Sequence, residues 1–267
     1  MEQAVSERVT LADPDRLLNF VGELGFRLIR NGAEIYRVEE SIERIINAYG
    51  YENCDVFVLP TLILVNILTE EKNYSKAVGV RSSANNLERL DKFNALCRKI
   101  CNEKTDIDTA EKELREIASL KTYPLWVGFL SFGLVATFFT LFWGGGILDA
   151  VVAFFCGLVV KFTVYSMNKL KANGFFTNLS AGALLAVLPT ILSYFPIGIH
   201  LDKIIIGAIM LLVPGVAIIN VMRDILAGDF LTAVIKFAEV IIVAVGISIG
   251  IAIPITVIRL IATSFFI

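Results

Sequence analysis

Through the first fifty residues apolar side chains recur every three or four positions, the spacing of one face of an α-helix. Leu17, Val21, Leu24 and Leu28 make the first stripe, with Asp13 and Pro14 placed to cap and start it and Asn31-Gly32 placed to end it. Ile35, Val38, Ile42, Ile45 and Tyr49 make the second, closed by Gly50. Over 55–82 the period shortens. The run from Asp55 to Glu70 is β-branched and apolar, and the residues from Lys76 to Ser82 supply a partner strand across the polar turn Glu70-Glu71-Lys72-Asn73. Helical spacing returns over 85–101, through Leu87, Leu90, Phe93, Cys97 and Ile100, and over 107–120, through Ala110, Leu114 and Ile117. Residues 1–121 therefore read as an α+β domain, helices around a β-hairpin, with enough apolar positions for a modest core.

Residues 122–267 follow a different rule. Apolar runs cover about 124–143, 147–167, 175–195, 204–222 and 231–262. Twenty residues at 1.5 Å each span roughly 30 Å, the thickness of a bilayer's hydrocarbon. The pattern predicts an all-α transmembrane bundle of five helices preceded by the α+β domain. The last run is too long for one straight crossing and requires either a tilted helix or a break near Pro254. Five crossings put the two ends of the chain on opposite faces. With the first domain in the cytoplasm, the loops carrying Lys169, Lys171 and Arg223 are cytoplasmic too, and Lys203 stands alone in an outer loop. This orientation places the C-terminus outside.

Composition sharpens the division. The chain is 56% hydrophobic and 19% charged, with a mean hydropathy of +0.70, where soluble chains lie nearer 45–50% and 25%. Only seven of 24 Lys and Arg, and five of 26 Asp and Glu, follow position 121. A net charge of −2 supplies no field for nucleic acid. Glu2 and Glu7, with no apolar core between them, do not read as a signal peptide. The four cysteines have no CxxC spacing and read as reduced thiols.

The chemistry on offer is sparse. His200, in a predicted outer loop, is the only histidine, so the first domain has no histidine for a nucleophile pair, and neither HExxH nor GxxxxGK[ST] occurs. No metal or cofactor is expected. Polar groups at membrane depth carry more weight, because each is costly there. Asp149 starts the second span and Lys161 lies in its inner third, where it either snorkels to the interface or lines a pathway. Lys236 and Glu239 share a helix face and can pair, and Glu239, the deepest acid of the last span, is a candidate for proton coupling. Pro214-Gly215 breaks the fourth span, either as the kind of interruption that exposes backbone to a cavity in transporters or as a kink that serves only packing. Gly246 and Gly250 form a GxxxG pattern, read as close helix packing.

Four segments together resemble the N-terminal half of the threonine/serine exporter family of bacterial membrane proteins. They are Asn31 to Glu39, with Glu34, Tyr36, Arg37 and Glu39; residues 55–82; Gly144-Gly145-Gly146 with Asp149; and Leu212 to Asp229, with Pro214-Gly215, Asn220, Arg223-Asp224 and Gly228-Asp229 in order. The resemblance implies export of small polar carboxylates, threonine and serine or a dicarboxylate such as succinate, driven by an ion gradient across the bacterial inner membrane. It also implies a split exporter, with this chain as the larger subunit and a smaller, membrane-only subunit completing it, in an oligomer set in the lipid bilayer. Asp149, Asn220, Arg223, Asp224 and Asp229 carry over as the polar residues of interest. Arg223 would attract the substrate carboxylate while Asp224 orients its guanidinium; the alternative is a loop salt bridge that fixes topology. Glu34, Tyr36, Arg37 and Glu39 form either surface ion pairs or a contact with a neighbouring subunit or vestibule. A membrane-anchored scaffold or regulatory protein is the competing functional reading.

Overall fold

The computed structural model describes residues 13–70, 72–81, 86–121 and 123–266. The expected absence of a signal peptide and parts of the expected hairpin turn and third helix start fall outside them. The chain forms two compact units, Met1–Lys121 with Asn220–Lys236, and Thr122–Ile219 with Phe237–Ile267. Residues 220–236, read from the sequence as part of the membrane half, thus belong to the first unit.

In the first unit, helix α1 spans Pro14–Arg30 and α2 spans Ile35–Ala48. The Asp13 carboxylate accepts from the Arg16 amide at 3.2 Å and satisfies one of the free donors at the start of α1. The chain leaves α1 through Gly32 at φ +97°, a left-handed conformation that favours glycine. Three strands follow, β1 (Cys54–Leu59), β2 (Leu62–Leu68) and β3 (Asn73–Gly79), in an antiparallel sheet ordered β1-β2-β3. This corrects the two-stranded hairpin. Pro60 has no amide hydrogen and a fixed φ, so the long apolar run cannot continue as one strand; it folds back on itself at Pro60-Thr61, pairing Leu59 with Leu62. Ile63, Val65 and Ile67 of β2 are buried at alternate positions, as a one-sided sheet requires.

Helices α3 (Leu87–Glu103) and α4 (Ile107–Ser119) complete this part, capped by Asn86 and Asp106. The predicted stripes reach the interior except at Leu87, which is exposed: Leu17, Val21, Leu24 and Leu28 meet Ile35, Ile42, Ile45, Phe93, Ile100 and Ala110 in one core. Gly25 lets α1 approach closely, since a Cβ there would lie 2.9 Å from Ile42 and 3.1 Å from Ile63. All four cysteines are free. Burial pushes the Cys97 thiol up to about 12, with Cys101 adding to the effect, so it is an inert packing group.

The second unit contains α5 (Leu125–Phe142), α6 (Ile147–Lys169), α7 (Gly174–Leu192), α8 (Leu201–Ile209) and the start of α9 (Gly215–Ala227). It also holds most of α10 (Phe230–Phe266). Among the described residues four helices are long and apolar enough to cross a membrane: Leu125–Phe142, Ile147–Lys169, Gly174–Leu192 and Phe230–Ser264. The expected fourth of five spans, 204–222, is instead two short helices, of 9 and 13 residues. Pro214 cannot donate to the preceding turn, and a nine-residue helix covers only about 14 Å. The last run needs no break at Pro254, which sits inside a continuous 37-residue helix.

Small residues dominate the interior here. Ala136, Ala153, Cys156, Ala181 and Ala208 are buried, while Phe138, Phe142, Phe155 and Leu184 face outward. A Cβ on Gly157 would overlap the Phe132 carbonyl, and one on Gly250 the Leu179 carbonyl. In lipid, where hydrocarbon surrounds both faces, close backbone approach of this kind replaces hydrophobic burial as the packing force. The Gly246/Gly250 pattern is thus a packing seam between α10 and α7.

Candidate functional site

The polar residues singled out in the sequence fall into two groups, one in each unit. In the first unit the Glu34 side chain, at the start of α2, is only 10% exposed and holds two guanidinium groups. Arg223, from α9, is hydrogen-bonded to its Oε1. Arg37 places Nε 2.8 Å from its Oε2 and donates to the Tyr36 hydroxyl at 3.2 Å. Burial works to raise the Glu34 carboxyl, but hydrogen bonds from Tyr36 and Arg223 and the charge of Arg37 bring it below the usual carboxylate range. The Arg223 side chain itself is 53% exposed, so part of its fork stays open to water.

Asp224 does not orient Arg223, as the sequence suggested. It is fully buried, and its Oδ2 accepts from Lys236 of α10 at 2.8 Å. Nor does Lys236 pair with Glu239, which lies exposed on α10. Asp229 follows Gly228, which ends α9 at φ +86°, and caps α10 by accepting from the Thr232 amide at 3.3 Å. Glu39 accepts from the Val58 amide at 2.8 Å, tying α2 to β1. Burial pushes its carboxyl up, the Val58 amide opposes this, and Asp229 adds to the rise. Asn220 is half-buried on α9.

In the second unit Asp149 is 1% exposed and closes a tight knot at the start of α6. Its Oδ2 accepts from the Gly146 amide at 2.7 Å, its Oδ1 from the His200 amide at 2.7 Å, and its Oδ2 lies 3.0 Å from His200 Nδ1. Lys161 lies with its ammonium 4.7 Å from the centre of the Phe132 ring. Its stem passes Gly128, where a Cβ would lie 2.9 Å from Lys161 Cε. Gly128 is within a turn of the start of α5, so the Lys161 side chain reaches back toward a helix end. Pro214 and Gly215 form the join between α8 and α9. Among the described residues no cluster of three or more His, Cys, Asp or Glu is placed to hold a metal ion.

The family model described as "Putative threonine/serine exporter" matches residues 19–258. The chain belongs to this family. It is 26% identical over 250 residues to a threonine/serine exporter of Corynebacterium glutamicum, covering 90% of this chain and 50% of that protein. It is 23% identical over 241 residues to a protein of Mycobacterium tuberculosis described as a probable threonine/serine exporter, covering 89% of this chain and 45% of that one. The chain thus spans about half the length of the curated relatives it matches. No solved structure matches it significantly.

Against that background, two partners were not legible beforehand. His200, placed by the sequence only in an outer loop, meets Asp149 through both its backbone and its ring, across 51 positions. Lys236 was read against Glu239, its neighbour along the helix, and instead bridges to Asp224. In both cases the deciding contact is long-range or crosses a turn, where helical spacing carries no signal. The one available hint was chemical: a membrane-depth acid needs a cation or several donors.

Proposed function

We propose that this chain is the larger subunit of a secondary exporter for small polar carboxylates, threonine and serine or a dicarboxylate such as succinate. An ion gradient drives it, and a smaller, membrane-only subunit completes the pathway in the bacterial inner membrane. The first unit faces the cytoplasm and the C-terminus lies outside. The observation that carries this reading is Arg223: a guanidinium on the helix that follows the Pro214-Gly215 break, held by Glu34 yet 53% exposed. A fork already charged, oriented and partly free is suited to receive a planar carboxylate in bidentate fashion. Asn220, one turn earlier on α9, adds neutral hydrogen-bonding capacity for a hydroxyl or ammonium.

The interrupted stretch supports a transporter over a scaffold. It leaves His200 bonded to Asp149 at the start of α6 and ends with Arg223 bonded to Glu34. We count it as a fifth crossing made of two short helices, the form that broken helices take in secondary transporters. Membership of the exporter family supports the transport role.

The test is efflux of labelled threonine, serine and succinate from cells expressing this chain, with and without a membrane-only partner. Efflux of at least one solute is expected with the partner, and Arg223→Ala should abolish it while the protein still inserts and assembles; Arg223→Lys should recover only a fraction, because the fork is lost. A scaffold would show no efflux in any combination, and a purely structural Arg223 would show lost assembly in the alanine variant.

A further inference from the structure

Asp224 is fully buried, and Oδ1 of its carboxylate has no hydrogen-bond partner among the described residues. The Thr232 hydroxyl, one helical turn before Lys236, is likewise buried and unpartnered. A buried acceptor without a donor is costly, and a native structure retains one where it serves a purpose. The neighbouring acids are engaged differently. Glu34 holds the Arg223 and Arg37 guanidinium groups. Glu39 is bound to the Val58 backbone amide, a donor fixed in the sheet. Asp229 caps a helix, and Glu239 is exposed. Glu34 Oε2 likewise lacks a hydrogen bond, but it lies 2.8 Å from Arg37 Nε in a carboxylate shared by two guanidinium groups; Asp224 is more deeply buried and has Lys236 as its one ion-pair partner among the described residues.

We propose that Asp224 is the proton-carrying residue of this exporter and Lys236 the tethered cation that takes the proton's place. The proposal rests on the exporter reading above and assigns its coupling site. The Lys236 side chain is 15% exposed, and its four-carbon stem lets the ammonium swing toward water. Once it leaves, the buried carboxylate cannot stay ionised alone. It takes one proton from water on Oδ1, forming an O–H bond and leaving hydroxide or water behind, while Lys236 keeps its three hydrogens and its charge. The pair passes from net zero to net +1. When Lys236 returns, the O–H bond breaks and the proton goes back to water. The charged groups around this exchange are Arg223 beside Asp224 on α9, Asp229 after it, Glu239 on α10, and Glu34, Arg37 and Glu39 from α2. Arg223 is paired with Glu34, and acids outnumber cations among the groups around the exchange.

The experiment is uptake of labelled L-threonine, L-serine and succinate into liposomes holding the full chain, with its membrane-only partner where needed, under imposed pH gradients. In wild type the accumulation ratio should follow the gradient. In Asp224→Asn and in the double variant Asp224→Asn/Lys236→Gln, which removes both charges together, the response to the gradient should vanish. A second measurement needs no variant to fold: adding the transported solute to purified wild type in weak buffer should move about one proton per chain. Either variant following the gradient as wild type does, or solute binding with no proton movement, overturns the proposal and leaves the exporter reading intact. A wild type driven by sodium or by voltage alone does the same. Absence of both binding and transport of all three solutes in wild type overturns the exporter reading and this proposal with it.

Discussion

The first unit buries Leu17, Ile42, Ile63 and Phe93, whereas the second buries Ala136, Ala153, Cys156 and Ala181 and turns Phe138, Phe142 and Phe155 outward. In water, large aliphatic side chains stabilise by leaving the solvent, so they go inside. In a bilayer the exterior is as apolar as the interior, and what remains is contact between backbones brought close by small residues. Their charges differ in the same way. The first unit carries pairs between flexible side chains, Arg223 with Glu34 and Lys236 with Asp224. The second holds Asp149 largely by backbone amides of Gly146 and His200. Side-chain pairs on flexible stems can exchange partners; a carboxylate set in backbone donors is a fixed joint.

The contrast in packing predicts the largest effect. Gly157→Leu puts a side chain where even a Cβ overlaps the Phe132 carbonyl, and should abolish a folded, monodisperse membrane unit on size-exclusion chromatography in detergent. Gly79→Ala in the first unit, where a Cβ meets nothing within 4 Å, should leave that profile unchanged. Next in size, Phe93→Ala should destabilise the first unit by about 3–5 kcal/mol, read by denaturant unfolding. A cost below about 1 kcal/mol would mean that its core is not set by large-residue burial.

Glu34→Gln should cost about 1.5–3 kcal/mol at neutral pH, because it removes a charge-assisted partner from Arg223 and Arg37. The sign with pH follows from the direction of the shift. The folded carboxyl lies below its ordinary value of 4.5, so its contribution is complete above that value and is lost as pH falls through the folded one. The melting temperatures of wild type and variant should therefore converge in acid and separate on raising the pH; a constant gap would sink the ion-pair account. Smallest of all, Arg44→Ala removes an exposed pair with Glu40 and should change stability by less than about 0.5 kcal/mol in the same assay.

Where the sequence was legible, the reason was periodicity. The stripes of α1 and α2 record in a period of 3.6 which side of the helix meets solvent, and the runs of α5, α6, α7 and α10 record by their unbroken length that apolar surroundings meet them on every side. Pro60 and Pro214 were visible too, but their consequences were underread: one divides a strand, the other divides a span. Asp149, Arg223 and Asp224 were legible as costly polar groups and as parts of a family pattern, without their partners.

By itself, then, the amino-acid sequence determined the split between a charged and an apolar part of the chain, the stripes of α1 to α4, the long apolar runs and the family resemblance. It did so because hydrophobic patterning acts residue by residue. Only the tertiary structure decided that Glu34 rather than Asp224 holds Arg223, that Lys236 reaches Asp224 past the turn at Gly228, and that His200 closes on Asp149. Those pairings depend on which elements lie against each other, and electrostatic attraction over a few ångströms leaves no periodic trace in a linear chain.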